Sequence, residues 1–124
     1  MRQLSPRRQI RHRRIRSRVV GTILRPRLSV YRSLRGMQVQ LVDDSKSKTL
    51  IGVSDKGLEE SADISVPAEF TGTKTKQAYR LGWIIAQKAK EQSLHQAVFD
   101  RGGYRYHGRI KAVAEGARAG GLEF

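Results

Sequence analysis

The chain has no cysteine. That excludes disulfides, cysteine-ligated zinc fingers and thiol catalysis, and nothing in the sequence calls for an oxidising compartment. No apolar run approaches the roughly 20 residues needed to span a bilayer, and the first residues lack the apolar stretch of a secretory signal. A soluble, intracellular protein is therefore expected. There is also no Walker-type loop, no nucleophile motif and no metal-ligand spacing. We accordingly expect no catalytic residue, no metal, no other cofactor, and neither a membrane nor a small-molecule substrate as partner.

The most informative absence is of one sign of charge. Met1 to Val42 contains no aspartate, no glutamate and no lysine, yet it holds 12 arginines. Asp43 to Phe124 holds 13 Lys+Arg against 11 Asp+Glu, so the first third carries +12 of the net +14 and the rest is nearly neutral. A guanidinium offers five donors in a planar fork that matches two phosphate oxygens or a guanine edge, and it stacks on bases, whereas lysine is a hydrated point charge. The balance points to nucleic acid, and to RNA first.

At 124 residues the chain fits one domain. Residues 1–21 are expected to form a basic arm, disordered until it meets an anion because such dense like charge cannot fold alone. Residues 22–124 are expected to form a single α/β domain. Two other readings of the arm stand beside this one. A mitochondrial transit peptide is also arginine-rich and acid-free, but it needs an amphipathic face, and Ile10, Ile15, Val19 and Val20 supply only a narrow stripe. The plainer alternative is a solvated tail with no specific partner.

In the body, Arg27 to Arg32 alternates, with Leu28 and Val30 on one face. After a turn at Ser33 to Gly36, Met37, Val39 and Leu41 alternate inward; Asp43 to Lys48 is a polar turn and Thr49 to Val53 a third strand. These three strands form an antiparallel meander. Ser54 to Thr71 shows weak periodicity and reads as a long loop. From Thr73 to about Gln92 the period becomes 3.6, with Ala78, Leu81, Ile85 and Ala89 in a stripe, Trp83 and Ile84 widening it, and Thr71 or Thr73 as N-cap. Ala97 to Phe99 is a short strand ending in Asp100, reached through a helical crossover that makes it parallel to its neighbour. A second helix runs from about Gly108 to Arg118, with Ile110, Val113, Ala114 and Ala117 on one face and Gly120 and Gly121 as its stop. The predicted fold is α/β: a mixed sheet of a three-stranded meander plus a crossover strand, packed with two helices.

The densest polar motif of the body runs from Phe99 to Arg109. Gly102 and Gly103 allow close backbone approach to an anion, while Arg101, Arg105, Arg109, Tyr104, Tyr106 and His107 interleave charge with stacking surfaces, as looped or single-stranded RNA recognition requires. The alternative is a tight strand-to-helix turn whose tyrosines pack on the core. An acid/base pair of Asp100 and His107 is conceivable but has no nucleophile beside it. Asp43 and Asp44 read as a turn rather than a metal site, and His95 as a helix-end or loop residue.

Four stretches together resemble a known family: Arg11 to Arg16, then Gly21-Thr22 with Arg25 to Ser33, then Val98 to Ala112 with its Asp-Arg-Gly-Gly-Tyr-x-Tyr-His-Gly-Arg core, then Gly121 to Phe124. In this order they are similar to the bacterial-type large-subunit ribosomal protein L-eighteen family. The resemblance implies a ribonuclease-H-like α/β body with a basic arm along RNA. It implies binding of 5S rRNA and its attachment to 23S rRNA in the central protuberance, near ribosomal protein L-five and other proteins of that region, in a bacterial or organellar ribosome. Carried over to this chain, it assigns RNA contacts to Arg7, Arg8, Arg11, His12, Arg13, Arg14, Arg16 and Arg18 of the arm. It also assigns Arg25, Arg27, Arg32 and Ser33, and Arg101, Tyr104, Arg105, Tyr106, His107 and Arg109 of the loop. Where the family continues with a basic and aromatic run after Ser33, this chain has Leu34 to Val39, which leaves Arg35 as the residual contact there. The segment from Asp55 to Phe70 matches nothing distinctive. A ribonuclease-H-like nuclease would need carboxylates on the first strand, and none precedes Asp43. A general RNA- or DNA-binding protein or RNA chaperone, not tied to the ribosome, is the alternative, since the arm would bind any polyanion.

Overall fold

The computed structural model describes residues 6, 7, 9, 10, 20–33, 36–54 and 64–124. Within them the chain forms β1 (Arg27–Ser33), β2 (Gly36–Asp43), β3 (Lys48–Ser54), helix α1 (Thr73–Glu91), β4 (Val98–Asp100) and helix α2 (Arg109–Ala119). The strands lie in the order β3-β2-β1-β4. The first three pair antiparallel, and β4 pairs parallel to β1, so the meander, the crossover and the mixed sheet all stand as the alternation and the helical period predict. Of the arm, most positions lie outside the described residues; Pro6, Arg7, Gln9 and Ile10 have helical backbone.

Both helices pack on one face of the sheet, the face that buries Leu28, Val30, Met37, Val39, Leu41, Ile51 and Val53. Strand periodicity puts the alternate residues on the other face, where Gln38 and Gly52 are exposed and Ser29, Tyr31 and Gln40 half-buried. The helices approach each other through glycines. A Cβ on Gly82 would sit 2.1 Å from the Val113 carbonyl oxygen, and one on Gly116 would sit 2.0 Å from that of Tyr79. Glycine inside a helix costs about 1 kcal/mol relative to alanine; here it lets two backbones pack at a distance no other residue permits.

One expectation needs correcting. Neither Thr71 nor Thr73 caps α1: Gly72 holds the N-cap at φ 91°, with no side-chain cap hydrogen bond. Residues 64–71 form neither strand nor helix, as the loop reading of this stretch expects. Residues 55–63 lie outside the described residues, but Ile64 and Phe70 are buried in the core, and Phe70 packs 5.5 Å from the Tyr79 ring. Two apolar residues six apart carry no period, which is why they read as loop. The stop after α2 holds: Gly121 (φ 106°) donates to the Arg118 carbonyl and Leu122 donates to that of Ala117, closing the last turn.

Candidate nucleic-acid interface

β4 is only three residues long and pairs with Arg27, Leu28 and Ser29, so the second half of β1, paired to β2 on one side, has no strand on its β4 side. The segment after β4 fills that place. The chain turns at Arg101 to Tyr104, with the Tyr104 N–H donating to the Arg101 carbonyl at 3.1 Å. Gly102 and Gly103 both take positive φ, 64° and 77°, as a mirror-image turn requires. The Gly102 N–H donates to Asp100 Oδ1 at 2.8 Å, and a Cβ on Gly102 would stand 3.0 Å from the Val30 carbonyl oxygen. The turn delivers Tyr104 to the β1 edge, where its hydroxyl donates to the Arg32 carbonyl at 2.8 Å and accepts from the Arg32 N–H at 3.1 Å. One phenol thus satisfies both Arg32 backbone groups on the side that β4 leaves open.

The loop's cations then divide by exposure. Arg101, Arg105 and His107 are exposed, and Arg109, at the start of α2, is half-buried. Arg32 is exposed with its guanidinium carbon 4.9 Å from the Tyr104 ring centroid, a cation–π stack. Arg25 is exposed on the turn before β1, where its backbone N–H donates to Thr22 Oγ1 at 3.2 Å. Tyr106 is 38% exposed, edge-on to Phe99, with its hydroxyl 3.3 Å from Glu115 Oε1 and 3.4 Å from Arg118 Nη1. Partial burial raises its pKa, with Arg118 and Glu115 pulling in opposite directions.

Two residues assigned to RNA do other work. Arg27 is 7% exposed. Its Nε and Nη2 donate to the two oxygens of Asp44 at 3.0 and 3.1 Å, and its Nη1 donates to Asp100 Oδ2 at 2.8 Å. Burial lowers its pKa, but these carboxylates outweigh burial and hold it above its ordinary value. Buried, and with three of its five N–H donors held by two carboxylates, this guanidinium does not present a fork to a phosphate. Tyr104 is 6% exposed, and its ring faces the core and Arg32, so it cannot stack on a base. Of the two tyrosine readings, packing holds for Tyr104, while Tyr106 stays at the surface.

The carboxylates that organise this end were not singled out by the sequence as a set. Asp44 Oδ2 also accepts the Gly21 N–H at 2.8 Å, and a Cβ on Gly21 would lie 2.4 Å from both the Arg27 nitrogen and the Val42 carbonyl oxygen. Gly21, Asp44, Arg27, Asp100 and Gly102 therefore form one chain of contacts from the foot of the arm to the glycine turn. The available signal was Asp44 at the close of the acid-free stretch, which holds β1's first arginine across the β1–β2 pair. Asp100 is fully buried with both oxygens engaged, so it is not available as an acid/base partner for the exposed His107. Asp43 accepts from the N–H and hydroxyl of Ser45, closing the turn into β3. Among the described residues no group of three or more His, Cys, Asp or Glu could hold a metal ion, and no helix is long and apolar enough to cross a membrane. Arg7 is exposed; Arg8, Arg11, His12, Arg13, Arg14, Arg16, Arg18 and Arg35 lie outside the described residues, as does the Ser33 side chain.

Residues 3–124 match the family model described as ribosomal L18 of archaea, bacteria, mitochondria and chloroplast. The chain is 48% identical over 118 residues to the large ribosomal subunit protein uL18 of Caldicellulosiruptor saccharolyticus, covering 94% of this chain and 90% of that protein. It is 47% identical over 116 residues to the uL18 of Dehalococcoides mccartyi (strain CBDB1), covering 93% and 91%. Against the uL18 of Bifidobacterium animalis subsp. lactis the identity is 52% over 112 residues, 90% and 85% of the two chains.

Proposed function

The chain belongs to the ribosomal L18 family, and on that premise we propose that it is a structural protein of the large ribosomal subunit that binds 5S rRNA and helps attach it to 23S rRNA in the central protuberance, beside protein L-five. The observation that carries the reading is the sorting of charge at the β1–loop end. The carboxylates Asp44 and Asp100 are turned inward onto Arg27, while Arg25, Arg32, Arg101 and Arg105 are left exposed. A surface of unneutralised guanidiniums next to a cationic arm suits a phosphate backbone. Cytoplasmic ribosomes are the corresponding location, and the role is that of a binding protein rather than an enzyme.

The arm, residues 1–21, and the body, residues 22–124, divide the work. Arm residues Arg7, Arg8, Arg11, His12, Arg13, Arg14, Arg16 and Arg18 supply affinity by releasing counterions. Arg25, Arg32, Ser33, Arg35, Arg101, Arg105, Tyr106, His107 and Arg109 supply the choice of RNA by fitting its shape and unstacked bases. With ~6 arm contacts, log affinity should fall against log salt with a slope of about −4 to −5. The test is a salt-titrated competition of labelled 5S rRNA against excess tRNA and duplex DNA. Preference for 5S rRNA by orders of magnitude at physiological salt is expected. Equal competition by all three, vanishing together as salt rises, would mean a general polyanion-binding protein instead.

A further inference from the structure

Tyr104 touches Arg32 in three ways. Its hydroxyl holds the Arg32 N–H and the Arg32 carbonyl, at 3.1 and 2.8 Å, and its buried ring lies 4.9 Å beneath the guanidinium carbon. The ring is itself fixed, 6% exposed and delivered by a turn whose positive φ at 102 and 103 favours glycine. Arg32 therefore has its backbone pinned and its guanidinium carbon seated over a buried ring. Its in-plane N–H donors have no acceptor among the described residues, and the residue is exposed.

A long flexible cation ordinarily loses rotamer freedom when it binds; one laid on a ring has lost much of it already. Neighbouring Arg101 and Arg105 are exposed with no side-chain bond or ring stack among the described residues, and Arg118, which also lies over a ring, that of Phe124, is paired with Glu115, whereas Arg32 is exposed and stacked with no carboxylate beside it among the described residues. From this we infer that Tyr104 is a positioning residue, holding Arg32 as a fixed reader of two side-by-side acceptor atoms on the RNA. The inference rests on the RNA-binding reading above. The acceptors are two phosphate oxygens or the O6 and N7 of a guanine, which present the same paired geometry to the fork.

The full-length protein serves for the test, with 5S rRNA binding measured across a salt series and in the presence of excess tRNA. Arg32→Lys keeps the charge but loses the fork and the stack, so affinity should fall about tenfold with the salt slope unchanged. Tyr104→Leu should weaken binding by a similar factor, and the double variant should be no weaker than the worse single one, because both changes remove the same held guanidinium. Lysine at 32 binding like the wild type, or losses that multiply, would overturn the inference. Where Tyr104→Leu lowers the melting transition too far to assay, Tyr104→Phe keeps the ring and removes only the hydroxyl. It should cost a few-fold in the wild-type background and nothing in the Arg32→Lys background; an equal cost in both means the tyrosine is merely structural. If the wild type itself fails to prefer 5S rRNA over tRNA, the RNA reading falls, a result separate from additivity in the cycle. A 5S transcript made with 7-deazaguanosine, which lacks the N7 acceptor, then names the source. A lysine penalty that disappears on it assigns a guanine, and one that persists assigns phosphate, either result standing with the inference.

Discussion

The two ends of β1 put the same residue type to opposite uses. At its start Arg27 is buried between Asp44 and Asp100 with its nitrogens engaged, and five residues on, Arg32 is exposed and rests on a tyrosine ring. Both belong to one arginine-only stretch and one motif, Arg-Leu-Ser-Val-Tyr-Arg. The difference lies in what comes from elsewhere in the chain, a carboxylate 17 residues away and another 73 away in one case, a phenol 72 away in the other. Net charge identifies the kind of partner, while burial and the nearest carboxylate decide which arginines remain available to meet it.

The largest effect is expected where the buried pair is broken. Arg27→Met leaves Asp44 and Asp100 without their cation, and removing one partner of a buried ion pair typically costs about 3–5 kcal/mol. Arg32→Ala removes a surface stack and should cost no more than about 1 kcal/mol. Denaturant unfolding of the two variants side by side measures the contrast. Equal losses would mean that the pairing of Arg27 with Asp44 and Asp100 does not stabilise this end, and a stable Arg27→Met variant with impaired RNA binding would return it to the interface.

The strands and helices were legible because they obey a period: Leu28 and Val30, Met37, Val39 and Leu41, then Ala78, Leu81, Ile85 and Ala89 each declare a face before any contact is known. What was not legible is what depends on distant partners. Ile64 and Phe70 join the core from a segment with no period, and Gly82 and Gly116 matter only because two helices cross there. At the interface, a motif names residues without giving their direction. Arg27 and Tyr104 sit among residues assigned to RNA, and both turn inward because Asp44, Asp100 and the β1 edge claim them. Arg25, Arg32, Arg101 and Arg105 do stand at the surface, as the motif requires.

A smaller effect is expected at the joint between the two ends. Gly102 bonds Asp100, which holds Arg27, and its turn carries Tyr104, which holds Arg32. Gly102→Ala places a side chain at φ 64° and a Cβ 3.0 Å from the Val30 carbonyl oxygen. Left-handed strain with a tight contact should cost about 1–3 kcal/mol. The sharper readout is selectivity. If the turn sets the Arg32 platform, preference for 5S rRNA over tRNA should fall while the arm keeps the salt slope; unchanged selectivity would uncouple the turn from the reader.

The smallest effect separates the two ends by pH. Tyr106, on the exposed side of the loop, has its pKa raised from 10.0, first by burial, with Glu115 adding to the rise and Arg118 opposing it. Its phenolate is therefore less favourable in the folded protein than in the unfolded chain, which loses that proton first. The stability associated with this shift is complete below the ordinary tyrosine pKa and declines as pH rises through it toward the folded value. Tyr79 shifts in the same direction, by burial and the charge of Glu115, and adds to the decline. Arg27 contributes nothing in this window, because its carboxylate partners hold its pKa above an ordinary value that is already higher. Denaturation midpoints from about pH 8 to pH 11 should thus drop less in Tyr106→Phe than in the wild type. An identical drop would place the alkaline sensitivity outside Tyr106, and an Arg27→Met variant should show the same pH profile as the wild type, displaced downward but parallel.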